Sequence, residues 1–207
     1  MIYKKNYKYI VASTGRAGST MIFNSLISGL RSHYRLPYLG RRVDNIYGTF
    51  VEQPHSSRSL QPIYKTHCLP NEINFDMSRV LFIYSCPIQN IKSVYLRTQR
   101  DGFDWFKKHQ SNLRGTGDFS KIFEDDILNY KLQLQQWLNT QHKNVLILNF
   151  DDIWFRKSEV CEFLNFDIKL PDKSSRLSDD NSLDERFSKA FKSEMNKLYT
   201  QTVNHLK

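Results

Sequence analysis

Short apolar runs, separated by longer stretches of mixed polarity, set the rhythm of this chain. Tyr9-Ile10-Val11-Ala12, Ile63-Tyr64, Arg79-Val80-Leu81-Phe82-Ile83-Tyr84 and Asn144 to Phe150 read as strands. The continuous run from Arg79 to Tyr84 has the pattern of a strand buried on both faces. Between these runs the period lengthens to three or four. Ile22, Leu26 and Leu30 define one helix, and Ile91, Val94 and Tyr95 a second that starts at Pro87. Ile122, Phe123, Ile127, Tyr130, Leu134, Trp137 and Leu138 predict one long helix from about Phe119 to Asn139. Ser158 to Leu164 predicts another. A last one spans Ser182 to Leu206, with Phe187, Phe191, Met195 and Leu198 on one side. Strands alternating with helices predict an α/β fold, a single domain over residues 1–207 with a mainly parallel central sheet flanked by helices.

Two segments break the rhythm. Residues 31–61 are polar and basic (Arg35, Arg41, Arg42, Arg58), and Pro37, Gly40, Gly48 and Pro54 interrupt any long element. They read either as a place for acceptor contacts or as a solvated basic excursion. Residues 102–117, rich in aromatics and bases, read as a polar loop, either a mobile lid or a surface excursion.

Composition narrows the classes. With 40% hydrophobic and 14% aromatic residues the chain is not disordered. A net charge of +9 calls for an anionic partner, and the scattered bases argue against a nucleic-acid arm. Three dispersed cysteines suit a reducing, cytoplasmic setting. Six histidines without ligand spacing predict no metal site. Met1 to Lys8 is charged and leads only into a short apolar strand, which predicts neither a signal peptide nor stable membrane insertion. Nothing in the pattern fixes an oligomeric state.

The chemistry concentrates where the first strand meets the first helix. Ser13-Thr14-Gly15-Arg16-Ala17-Gly18-Ser19-Thr20 is a tight loop that aims backbone N–H groups and a helix N-terminus at one spot, an anion site. Gly15 and Gly18 let the backbone come close, Arg16 supplies a forked cation, and Ser19 and Thr20 supply hydroxyls. No Lys precedes Ser19, so this is not the GxxxxGK[ST] loop of nucleoside triphosphatases. After the second strand, Lys65 and His67 stand two apart and therefore on the same side of an extended chain. A neutral imidazole there suits proton removal from an acceptor, beside an ammonium that offsets charge; a satisfied structural histidine is the plainer reading.

Arg16-Ala17-Gly18-Ser19-Thr20 resembles the 5′-phosphosulfate loop of the sulfotransferases, roughly (Lys/Arg)-(Ser/Ala)-Gly-(Ser/Thr)-(Ser/Thr). Lys65-Thr66-His67-Cys68-Leu69-Pro70 is similar to that family's Lys-Thr-His-Leu-Pro, with Cys68 as one extra residue. Pro87 and Ser93 keep the spacing of the 3′-phosphate segment, Phe150-Asp151-Asp152 followed by Phe163-Leu164 resembles the strand ending in Tyr-Glu-Asp and its helix, and Asp184 to Phe187 resembles the closing helix. The departures are specific. Ser85 stands where the family has the Arg that grips the 3′-phosphate, and Met21 where it has an adenine-stacking aromatic. The late Arg-Lys-Gly segment is missing, with Lys173 and Arg176 in its region.

The resemblance implies a P-loop NTPase-like fold and sulfuryl transfer from 3′-phosphoadenosine 5′-phosphosulfate (PAPS) to a hydroxyl or amine of a small-molecule or glycan acceptor, without metal. His67, Arg16 and Lys65 would be catalytic; Gly15, Arg16, Ala17, Gly18, Ser19, Thr20, Ser85, Ser93 and Arg97 would hold the co-substrate. Asp44 and Glu52 are the carboxylates that would serve as base in place of His67. Two other readings stand beside it: a nucleotide kinase using Asp151 and Asp152, and a non-catalytic anion- or glycan-binding module.

Overall fold

The computed structural model describes residues 8–34, 48–50, 62–173 and 181–206. Arg35, Pro37, Gly40, Arg41, Arg42, Asp44, Glu52, Pro54, Arg58 and Arg176 lie outside them. Five strands, β1 (Lys8–Ser13), β2 (Gly48–Phe50), β3 (Ile63–Thr66), β4 (Ser78–Tyr84) and β5 (Val145–Asn149), form one sheet in the order β2-β3-β1-β4-β5. Every pairing is parallel, with Val11 opposite Lys65 and Leu81 and with Tyr84 opposite Asn149. The helices are α1 (Ser19–His33), α2 (Pro87–Asp101), α3 (Phe103–Asn112), α4 (Tyr130–Leu138), α5 (Lys157–Leu164) and α6 (Lys189–His205).

Strand alternation sorts the core by parity. Val11, Ile63, Leu81, Ile83 and Leu148 face α1 and α5, meeting Ile22, Leu26, Val160 and Leu164. Ile10, Ala12, Tyr64, Val80, Phe82 and Tyr84 face the other way, onto Leu134 and Trp137 of α4. Trp137 lies flat on Phe82 at 4.5 Å. Each such buried ring contributes roughly 1.5–3 kcal/mol. A third cluster joins α2, α3 and α6 through Val94, Phe106, Phe123, Phe187 and Phe191.

Three expectations are corrected. The helix predicted from Phe119 to Asn139 is two pieces, a 3-10 turn over Phe119–Lys121 and α4. Its apolar positions serve different cores: Ile122, Phe123 and Ile127 enter the α2–α3–α6 cluster, whereas Leu134 and Trp137 cover the sheet. Asp126 accepts from the N–H groups of Tyr130 and Lys131 and so starts α4 afresh. The loop expected over 102–117 holds helix α3, which begins after Gly102 (φ +89°) and seats Phe106 in the core. The closing helix starts later than Ser182: residues Asn181–Arg186 are 3-10, and Ser188 caps α6 by accepting from Phe191 N. Within the turn-rich stretch 31–61, Gly48–Phe50 forms the edge strand β2. No helix of the described residues is long and apolar enough to cross a membrane.

Candidate active site

At the carboxyl ends of β1 and β3 a cleft of about 870 Å³ opens, where ligands of open α/β sheets bind. The loop between β1 and α1 makes one wall. Gly15, Arg16 and Gly18 all take positive φ (+78°, +56°, +74°), which turns the chain tightly onto the first turn of α1. Gly18 has a second reason to be glycine, since a Cβ there would lie 2.0 Å from the Phe150 ring. Ser13 Oγ donates to Ser19 Oγ (3.0 Å) and accepts from Gly15 N (3.4 Å), binding the two ends of the loop together. Arg16 Nε donates to Ser93 Oγ on α2 (2.9 Å), and Lys65 Nζ donates to Thr20 Oγ1 (2.8 Å).

His67 follows directly on β3 and is buried. Its Nδ1 lies 2.9 Å from the Ser13 carbonyl oxygen. A carbonyl only accepts, so Nδ1 carries the proton and Nε2 is the basic nitrogen of the neutral ring. Burial, opposed by the Ser13 bond and reinforced by Lys65 and Arg114, holds its pKa down to about 4. The main chain at His67 is clamped as well. Its carbonyl accepts from Arg114 Nη1 (3.2 Å) and Gln133 Nε2 (3.3 Å). Arg114 in turn pairs with Glu72 (2.5 Å), whose other oxygen accepts from Leu69 N (2.6 Å). Cys68, the extra residue, is fully buried and closes a small turn in which Thr66 Oγ1 accepts from Cys68 N (3.1 Å). The insertion is absorbed into the core, and the imidazole still reaches the cleft.

The opposite wall is helix α3, which contributes Trp105, Lys108, His109 and Asn112. None of these was singled out from the sequence as a site residue. Their spacing puts them on one face of a helix, but the segment reads as a polar loop because that face is polar and turned inward. His109 stacks on Trp105 (4.9 Å) and stands edge-on to His67 (5.6 Å). Burial first, then His67, Arg16 and Lys65, push its pKa down to about 3.

Of the residues singled out from the sequence, Arg16, Gly18, Ser19, Thr20, Lys65, His67, Ser93 and Arg97 line this cleft. Gly15 shapes the loop beside His109 and Leu113, and the Ala17 side chain is core. Ser85 stands apart from the cleft: its hydroxyl donates to Asn90 Oδ1 (2.6 Å) at the start of α2. Met21 is likewise core. A smaller adjoining cavity of about 350 Å³ is lined by Arg16, Lys92, Ser93, Arg97 and Arg100 among others. There Lys92 is ion-paired with Asp184, and Arg97 with Asp101. Lys173 lies elsewhere, donating to the Asp151 carbonyl and covering Trp154 and Phe155. Phe150 reaches the cleft, whereas Asp151 and Asp152 are exposed outside it. Among the described residues no group of three or more His, Cys, Asp or Glu is placed to hold a metal ion.

Comparison of the fold with solved structures returns retinol dehydratase in complex with retinol and PAP, at 11% identity and a TM-score of 0.59, covering 96% of this chain and 82% of that one. The same enzyme with androsterone and the inactive cofactor PAP matches at 12% identity and 0.54, over 96% and 81%. A sulfotransferase from Alicyclobacillus acidocaldarius matches at 13% identity and 0.44, over 99% and 95%. No family model and no curated protein matches the sequence. The chain has a sulfotransferase-type fold, in a sequence far diverged from these structures.

Proposed function

We propose that this protein transfers a sulfuryl group from PAPS to a hydroxyl or amine of an acceptor. The observation that carries the reading is the convergence of Arg16, Lys65, His67 and Ser93 on one cleft with the positive-φ loop that opens α1. The donor set fits a phosphosulfate: cations, hydroxyls and a helix N-terminus, with no carboxylate among the described residues lining the cleft. The fold's likeness to a protein held with PAP supports the same ligand class. Bound PAPS supplies an activated sulfuryl group with a 5′-phosphate as leaving group.

The residues of this chain then have separate tasks. His67 Nε2 takes the acceptor's proton while the acceptor oxygen forms its bond to sulfur. The bond between sulfur and the 5′-phosphate oxygen breaks, and its electron pair stays on the phosphate. Arg16, Lys65 and the opening amides of α1 meet the charge that gathers there. Ser93, Arg97 and Arg100, with Arg16, line the adjoining cavity at a position suited to the 3′-phosphate. They would do the work of the Arg that Ser85 replaces.

Titration with 3′,5′-adenosine bisphosphate (PAP) beside ATP–Mg²⁺ tests the reading. Saturable PAP binding that Arg16→Ala weakens supports it. A preference for ATP–Mg²⁺ replaces it with the kinase reading, and binding of neither leaves the non-catalytic module.

A further inference from the structure

Helix α3 turns Trp105, Lys108, His109 and Asn112 into the cleft at positions i, i+3, i+4 and i+7, a stripe about 10 Å long at 1.5 Å per residue. Across the cleft the cations are committed. Arg16 holds Ser93, Lys65 holds Thr20, and Arg97 holds Asp101. On α3 the polar groups are not: among the described residues the side chains of Lys108 and Asn112 have no hydrogen-bond or ion-pair partner. His109, nine-tenths buried, has an Nε2 with none either. That nitrogen is closed in beside Gly15, so the groups of α3 open to a ligand are Lys108 and Asn112. They offer an ammonium and an amide, beside an imidazole that burial keeps neutral. Such a set suits an oxygen-rich anion rather than a hydrocarbon.

The rest of the lining agrees. Phe50, Trp105 and Phe150 are the apolar side chains of the cleft among the described residues, and no aliphatic side chain joins them. A binding site for a sterol-like acceptor needs broad apolar walls. The ring faces here are also largely spent on one another, since His109 covers Trp105, Arg97 lies over Trp105 at 5.7 Å and Lys65 over Phe50 at 5.2 Å. What remains for an acceptor are ring edges and donors, both of which favour oxygen.

Building on the sulfuryl-transfer reading, we propose that the inward face of α3 recognises the acceptor, and that the acceptor carries an anionic oxyacid group beside the hydroxyl to be sulfated. Lys108 meets the anion, Asn112 meets a neighbouring oxygen, and the hydroxyl falls toward His67. An acidic saccharide has this chemistry.

The test uses a matched pair of acceptors, p-nitrophenyl glucuronide and p-nitrophenyl glucoside, which differ in one carboxylate. The full chain is assayed by transfer of labelled sulfate from PAPS. The wild type should favour the glucuronide about tenfold in kcat/KM, the worth of one charge-assisted contact. Lys108→Glu should erase or invert that preference while leaving PAP affinity unchanged. Lys107→Glu makes the same charge change one residue away, where the side chain lies over Phe103 instead of the cleft, and should keep the preference. Equal use of both sugars, use of neither by a protein that binds PAP, or an equal effect of the two lysine variants overturns the proposal. Failure to bind PAP at all would overturn the sulfuryl-transfer reading itself, and this inference with it.

Discussion

On one side of the cleft, residues 13–20 are held by their own backbone. Three positive-φ residues, a serine that ties both ends, and a glycine wedged under Phe150 leave the loop a single shape. On the other side, α3 is an ordinary helix whose cleft-lining Lys108 and Asn112 have no side-chain hydrogen-bond or ion-pair partner among the described residues. A site for a co-substrate of fixed structure is well served by a preorganised wall, because no ordering cost falls on binding. A wall of uncommitted side chains on a rigid helix adapts by substitution instead, and one changed residue alters what it prefers without disturbing the loop. The difference teaches where invariance and where specificity reside in this cleft. His67 stands at the seam, its ring held by the loop wall through Ser13 and its main chain by Arg114 from the turn after α3.

The sharpest way to break this division is at the seam. His67→Ala should cost about two to four orders of magnitude in turnover, the usual worth of a positioned base. PAP affinity should stay unchanged, because the imidazole belongs to the acceptor half. In the wild type, kcat/KM should rise with pH through about 4 and then level. The neutral ring is the active form, and burial lowers its pKa. Unchanged turnover in the alanine variant would assign proton removal to another group.

On the loop wall, Arg16→Ala should cost on the order of 3 kcal/mol of transition-state stabilisation, as for a lost preorganised donor. It should weaken PAP binding as well, and by a similar factor for every acceptor. An effect that depends on the acceptor would mean that Arg16 serves both halves.

The clamp on the His67 carbonyl predicts a smaller effect with a distinctive signature. Arg114→Met removes a cation that disfavours the imidazolium, so the His67 pKa should rise and the acidic limb should move to higher pH. Turnover should fall about tenfold as the ring loses its fixed direction, which is within the reach of a misplaced base. Arg114→Lys, which keeps the charge but not the fork, should leave the limb in place. A loss of stability with an unmoved limb would reduce Arg114 to a structural residue.

How much of this was readable beforehand follows the same division. The loop wall is local in sequence: strand, two glycines, cation, hydroxyls and helix lie within fifteen residues, and each type has one reason to be there. The sheet was legible for a similar reason, because β1, β4 and β5 are near-continuous apolar runs. The α3 wall was not. Trp105, Lys108, His109 and Asn112 look like surface residues until another element faces them, and what turns them inward is tertiary: Phe106 and Leu113 packing into the α2–α3–α6 cluster. The broken helix around Asp126 hid for the converse reason, with one apolar period supplying two different cores. Ser85 shows a limit of register, since a matched spacing to Pro87 and Ser93 located the segment but not the direction of its side chain.

That position gives the smallest effect and a clean discriminator. If the missing arginine at Ser85 left the 3′-phosphate ungripped, Ser85→Arg would tighten PAP binding by about 1–2 kcal/mol through a charge-assisted hydrogen bond. The structure argues otherwise. Ser85 spends its hydroxyl on Asn90 at the start of α2, and Arg16, Ser93, Arg97 and Arg100 already line the adjoining cavity. A further arginine would join a site already rich in cations, where burial first, then Arg97 and Arg100, hold the Arg16 pKa below its ordinary value. PAP affinity in Ser85→Arg should therefore stay within about twofold of the wild type, whereas Arg97→Ala should weaken it by the charge-assisted amount. A large gain from Ser85→Arg together with no loss from Arg97→Ala would place the 3′-phosphate away from Arg97 and its neighbours on α2.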